Sequence, residues 1–181
     1  MVVDNGSVYT KNLIDFISSQ HTKFKQISHK EIPSIDISKF NSFILSGRRS
    51  NDKTMNAQNS KIIKHCISEK KPLLGICYGA EILALTLGGT IKKMSFLHKG
   101  PEIVTVEKKN ALCNGKIDVF ESHHYELSRL PSSLCRVGSS KNCTNEIVCL
   151  QNSQIFGTQF HPEMTRDGQF LIKNFCSLTE S

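Results

Sequence analysis

The run LLGICYGAEILA, Leu73 to Ala84, limits the possible folds more than any other stretch. It drives an apolar segment into a cysteine, Cys77, with glycine two residues away on either side, Gly75 and Gly79. A buried strand needs no thiol at that point, and an ordinary helix start does not choose two glycines. A strand that ends in G-x-nucleophile-x-G and opens a helix is the nucleophile-elbow arrangement. Its tight turn leaves no room for side chains two positions from the nucleophile. It lifts the middle side chain off the carboxyl edge of the sheet, where ligands of open α/β sheets bind. A helix beginning at Tyr78 points its positive end at Cys77, favouring thiolate over thiol and offering N–H groups to an oxyanion. The plainer reading of so short a pattern is a Gly-rich turn around a buried structural cysteine.

The surrounding pattern predicts an α/β fold. MVVD reads as a strand followed by a turn at Asp4-Asn5-Gly6-Ser7, and Leu13, Ile14, Phe16 and Ile17 recur at helical spacing. FNSFILSG, Phe40 to Gly47, reads as a buried strand that runs into RRSNDKTMNAQNSK, the most polar stretch and an expected exposed loop. Ile62, Ile63, Cys66 and Ile67 mark a helix that stops before Lys71-Pro72. PLLGI is then a strand, and YGAEILALTL a helix closed by Gly88-Gly89. Strands alternating with helices imply a parallel sheet.

The second half changes character. EIVTVEKK, KIDVFESHH and CRVGSS are strand-like, and EIVCLQNSQIFGTQF reads as a hairpin turning at Asn152-Ser153. A last helix starting near Asp167 carries Phe170, Leu171 and Phe175. The expected architecture is one domain over residues 1–181. It has an open, mostly parallel central sheet flanked by helices, with extra antiparallel strands in the second half. A chain of 181 residues with 38% hydrophobic and 22% charged residues suits one such domain.

Composition also excludes some classes. The net charge of +7 is spread along the chain, Trp is absent and there are only three Tyr, which argues against nucleic-acid binding. No apolar run approaches transmembrane length. Seven cysteines, an odd number without a CxxC pair, and a start unlike a signal peptide predict reduced thiols in a cytoplasmic protein.

A second constellation gives Cys77 chemical partners. GTQFHPEM, Gly157 to Met164, places His161 and Glu163 at the end of an expected strand, on one face by its period of two. An imidazole whose other nitrogen bonds a carboxylate is the base-plus-orienter pair that a cysteine nucleophile requires. Together Cys77, His161 and Glu163 form a site for attack on an amide or thioester carbonyl. His123 and His124 stand together without a third ligand at useful spacing, so no metal site is expected.

With GICYG, GTQFHPE and the strand motif ILSG in that order, nearly the whole chain resembles the class I glutamine amidotransferases. The resemblance implies a glutaminase acting on L-glutamine, with Cys77 as nucleophile, His161 as proton carrier and Glu163 as its support. It implies an oxyanion hole at Tyr78 and at Gly47 or Arg48, and no cofactor in this chain. Tyr78, the start VVDNGSVYT and the segment ESHHYELSRLP are most similar to the branch that serves GMP synthesis as a stand-alone glutaminase. That likeness implies glutamine contacts at Ser122, His123 and His124. It also implies a separate ATP-pyrophosphatase partner that adenylates XMP and holds ATP and magnesium. Three positions depart from the family pattern: Arg48-Arg49 replace a Gly-Pro after Gly47, Glu81 replaces a substrate-contacting Gln, and Tyr125 replaces an acidic residue. The alternatives are a partner-independent γ-glutamyl hydrolase, the glutaminase of another synthase such as anthranilate synthase, and a non-catalytic scaffold.

Overall fold

Alternation within a few short strands decides the layering. The computed structural model describes residues 1–178. In it Val2, Ile44, Leu74 and Phe156 turn to one side of a sheet, where they pack on Leu13, Ile17, Leu171 and Phe175. Their chain neighbours Val3, Phe43, Leu73 and Ile155 turn to the other, against Ile62, Ile63, Ala80 and Leu83. A strand buried on both faces must be apolar at successive positions, and these are.

The strands are β1 (Val2–Asn5), β2 (Gln26–Ser28), β3 (Phe43–Arg48), β4 (Leu73–Ile76), β5 (Ile91–Val106), β6 (Lys116–Leu127), β7 (Leu134–Ser139), β8 (Ile147–Leu150) and β9 (Ile155–Thr158). The helices are α1 (Thr10–Ser19), α2 (Lys53–Ser68), α3 (Tyr78–Thr86) and α4 (Arg166–Ser177). These strands join one sheet in the order β2-β1-β3-β4-β9-β8-β7-β5-β6. The pairs from β2 through β9 are parallel and those from β9 through β6 antiparallel. Helices α1 and α4 cover one face, α2 and α3 the other. The expected fold class holds: a mixed sheet, parallel at its centre, with antiparallel strands added late in the chain.

Two expectations fail locally. The polar stretch after Arg48 is not a loop throughout, because α2 already begins at Lys53. Asp52 caps it by accepting from the Met55 N–H at 2.7 Å, which satisfies a donor the helix itself cannot. The polar face of α2 also has a buried task. Asn59 is fully buried and exchanges amide hydrogen bonds with Asn5 of β1 at 2.8 and 3.1 Å. The second failure is at His161-Pro162-Glu163. Strand β9 ends at Thr158, and Pro162–Met164 form a short 3-10 turn, to which proline's fixed φ is suited at the first position. A helical turn, not strand alternation, therefore relates His161 to Glu163. The expected hairpin is present, β8 antiparallel to β9, with Asn152 at φ 55° in its turn.

The glycines around Cys77 answer to close packing. A Cβ on Gly75 would lie 2.5 Å from the carbonyl carbon of Gly79, and one on Gly79 would lie 2.4 Å from the carbonyl oxygen of Leu45. Helix α3 thus starts against the backbone of β3 and β4 with no side chain between. Gly79→Ala forces backbone apart, and we expect a loss of about 3 kcal/mol in unfolding free energy, measured by urea denaturation.

Candidate active site

Parallel neighbours end on the same edge of a sheet, so β3, β4 and β9 deliver their last residues together. Cys77 follows β4 directly. Its N–H donates to the Thr158 carbonyl of β9 at 2.7 Å, extending the register that pairs Ile76 with Thr158. Its backbone has φ 50° and ψ −102°, a sparsely populated region for a residue with a side chain. Such a conformation costs about 1–3 kcal/mol and persists only where packing enforces it. The close contacts of Gly75 and Gly79 supply that enforcement.

His161 lies just beyond β9 and is 2% exposed. Its N–H donates to the Phe120 carbonyl of β6 at 2.8 Å, and its Nδ1 is 2.9 Å from Glu163 Oε1. A carboxylate can only accept, so Nδ1 carries the hydrogen and Nε2 keeps the basic lone pair. A Cβ on Gly47 would sit 2.9 Å from His161 Cε1, which sets the end of β3 against the ring. Tyr9, at the start of α1, places its ring 4.5 Å from the imidazole and donates its hydroxyl to Ser122 at 3.2 Å. Tyr9 was not anticipated from sequence. The one available signal was its position just after β1, on the same carboxyl edge.

The sulfur sits at the wall of a cleft of about 480 Å³. Arg48, Tyr78, Glu81, Ser122, His123 and His124 line it too, so the anticipated binding residues share one pocket. Burial raises the Cys77 thiol well above its ordinary range, and the carboxylates of Glu81, Glu121 and Glu163 add to the rise. The Tyr78 N–H, the first of α3, opposes it by donating toward the sulfur. Burial and these charges outweigh the expected pull of α3 toward thiolate and favour the thiol, so that attack calls for a base to take its proton.

Two of the departures from the family pattern meet in this cleft. Arg48 Nη2 lies 3.3 Å from Glu81 Oε2, both side chains largely buried, and its guanidinium stands 4.4 Å over the Tyr78 ring. Arg48 also donates to Asn51, and the Tyr78 hydroxyl donates to Asn56 at 2.8 Å. Burial raises Glu81, and the charge of Arg48 leads the opposing effects. Arg48 therefore neutralises a carboxylate that stands one helical turn from the sulfur. Tyr125, the third departure, is partly exposed at the cleft rim.

The expectation that no third ligand stands beside His123 and His124 does not hold for His123. The β5–β6 register sets His98 opposite His123, and Glu121 lies two residues earlier on the same buried face of β6. Donor atoms of His98, Glu121 and His123 all lie within 4.8 Å of one another. His124 is exposed and takes no part. Register between strands distant in sequence is not readable from a single chain, which is why His98 was missed.

Among the described residues no helix is long and apolar enough to cross a membrane. A family model described as "Glutamine amidotransferase class-I" matches residues 1–178. The chain is 28% identical over 186 residues to one of the subunits of a glutamine-hydrolysing GMP synthase from Thermoplasma acidophilum, covering 99% of this chain and 92% of that one. It is also 28% identical over 189 residues to the GMP synthase of Histophilus somni, but spans only 36% of that protein's length. In three dimensions it is similar to a Thermoplasma acidophilum protein whose crystal structure is described as that of a GMP synthase subunit. That likeness has a TM-score of 0.86 at 26% identity and covers 99% of this chain and 92% of that chain.

The charges around the sulfur make a signed prediction. Removing a nearby negative charge favours thiolate, so Glu81→Gln lowers the Cys77 pKa. Arg48→Ala leaves Glu81 uncompensated and raises it. The pH profile of Cys77 alkylation by iodoacetamide, read by mass spectrometry, shifts to lower pH in the first variant and higher pH in the second.

Proposed function

The chain belongs to the class I glutamine amidotransferases, and on that premise we propose that it is the glutaminase component of a two-chain GMP synthase. It hydrolyses L-glutamine and passes the ammonia to a separate synthase chain. The observation that carries this reading is the strained Cys77 elbow on β4, next to the strand that leads into the hydrogen-bonded His161–Glu163 pair.

The chemistry follows from the protonation states at rest. Cys77 Sγ attacks the side-chain amide carbon of glutamine while His161 Nε2 takes the thiol proton. The carbonyl oxygen gains charge next to the Tyr78 N–H at the positive end of α3, with the Arg48 N–H at the end of β3 as the second donor. His161 returns the proton to the amide nitrogen, the C–N bond breaks and ammonia leaves. The remaining γ-glutamyl thioester is opened by water, which His161 deprotonates, and glutamate departs as the thiol re-forms. Glu163 holds the Nδ1–H tautomer and stabilises the imidazolium at each transfer. Glu81, Ser122, His123 and His124 line the space for the amino-acid end of glutamine. A largely buried, salt-bridged carboxylate at Glu81 suits the α-ammonium, and Arg48 stands beside it for the α-carboxylate.

The synthase partner is an ATP-pyrophosphatase that adenylates XMP, and ATP and magnesium belong to it. The similar Thermoplasma acidophilum protein is named as one subunit of a GMP synthase, which supports a synthase carried on a second chain. Apolar side chains exposed at the cleft rim, Leu85 at 42% and Leu97 at 44%, offer that partner a place to dock. The glutaminase step needs no cofactor. A reducing cytoplasm suits a catalytic thiol.

Three measurements test the reading. Cys77→Ala abolishes glutamine hydrolysis and labelling by diazo-oxo-norleucine. Glu163→Ala lowers kcat by about 10²-fold or more with little change in KM, because it removes support for proton transfer rather than binding. Glutamine turnover rises sharply when an ATP-pyrophosphatase chain, XMP and ATP are added. Turnover of γ-glutamyl amines that ignores the partner overturns the assignment to GMP synthesis.

A further inference from the structure

Strand β6 sends Ile117 and Val119 into the core and then, on the same face, Glu121 and His123. Glu121 is fully buried and His123 nearly so. His98 of β5 stands opposite His123, is 9% exposed, and turns its ring 68° to that of His123 with centroids 5.3 Å apart. It directly follows the register irregularity between Lys93 and His98. Two buried imidazoles and a buried carboxylate thus converge across one hairpin.

Their hydrogen bonding is incomplete in one particular way. His123 Nδ1 is 2.8 Å from the Tyr125 carbonyl, so it carries the hydrogen and Nε2 is left as a lone pair. That lone pair faces Glu121 Oε2 at 2.9 Å without hydrogen-bond alignment; Glu121 accepts from no N–H or hydroxyl and meets only the carboxyl of Glu146, and His98 Nδ1 and His123 Nε2 have no hydrogen-bond partner. Two acceptors at that distance repel unless a proton or a cation lies between them. Buried Glu146 adds a second carboxyl group, which shares a side-chain hydrogen bond with Glu121, and Glu102 lies 3.5 Å from His98 Nε2. Among the described residues no lysine or arginine pairs with Glu121 or Glu146.

We propose that His98, Glu121 and His123 form a binding site for a divalent transition metal ion, of which Zn²⁺ fits best. Two imidazoles with one carboxylate is the donor set of three-ligand zinc sites, and magnesium or calcium prefers oxygen alone. A backbone carbonyl holding the far nitrogen of a ligating histidine, as Tyr125 holds His123, is the usual outer-shell support. Zinc bonds of about 2.0–2.1 Å place tetrahedral ligands roughly 3.4 Å apart, within reach of donors that already lie inside 4.8 Å. The ion fastens β5 to β6 immediately behind Ser122 and His124, the part of β6 that lines the cleft. The site shares His123 with the lining of the cleft, but none of its evidence involves turnover.

The full chain, stripped with EDTA, is titrated with Zn²⁺ by calorimetry and with Co²⁺ by absorption. We expect one zinc equivalent and a higher Tm with zinc. Cobalt is expected to give d–d bands without a thiolate charge-transfer band, which separates this site from the cysteines. His98→Ala and His98→Gln, which alter no cleft residue, weaken zinc binding by about 100-fold or more. Absence of saturable binding to the wild-type chain overturns the proposal, as does a thiolate band, or unchanged affinity in whichever His98 variant folds. The wild-type cobalt spectrum decides the matter even if neither variant folds.

Discussion

The close approach of α3 to the backbone of β3 and β4 is the contact on which the rest depends. With no side chain at Gly75 or Gly79, the helix begins almost touching the Leu45 carbonyl, and the chain has no path into it except through Cys77 at positive φ. That one constraint lifts the sulfur to the sheet edge, directs the first N–H of α3 toward it, and brings Glu81 within one turn. The strand order does the rest. Because β3, β4 and β9 are parallel neighbours, Gly47, Cys77 and His161 reach one edge although they are widely spaced in the chain.

The second organising theme is charge in a confined space. Three carboxylates act on the Cys77 thiol, and the protein handles them differently. Glu163 is engaged by His161, and Glu81 by Arg48, which itself lies over Tyr78. Arg48 and Glu81 thus compensate one another's charge. Glu121 has two histidines and the carboxyl of Glu146 beside it and, among the described residues, no lysine or arginine. Buried anions are costly unless matched, so the polarity of this edge is held against the fold's own tendency to exclude charge.

Several elements were legible without coordinates because local chemistry dictates them. The hairpin at Asn152, the stop at Gly88 and the strand-to-helix passage at Cys77 each follow from residues within a few positions of one another. Where a partner was distant, sequence misled. The polar face of α2 read as a loop because its buried Asn59 answers to Asn5, more than fifty residues away. His161 and Glu163 were correctly paired, but by a 3-10 turn rather than by strand alternation, since Pro162 favours the tighter geometry.

What the sequence determined by itself was the cysteine elbow at Cys77 and the pairing of His161 with Glu163, along with the parallel core. Spacing, glycine placement and apolar runs are short-range properties, and a chain states them directly. What only the folded molecule decided was which distant side chains face one another: Arg48 against Glu81, Tyr9 on His161, and His98 across from His123. Those pairings depend on strand register and helix packing, set by the burial of the whole core and carried by no local signal.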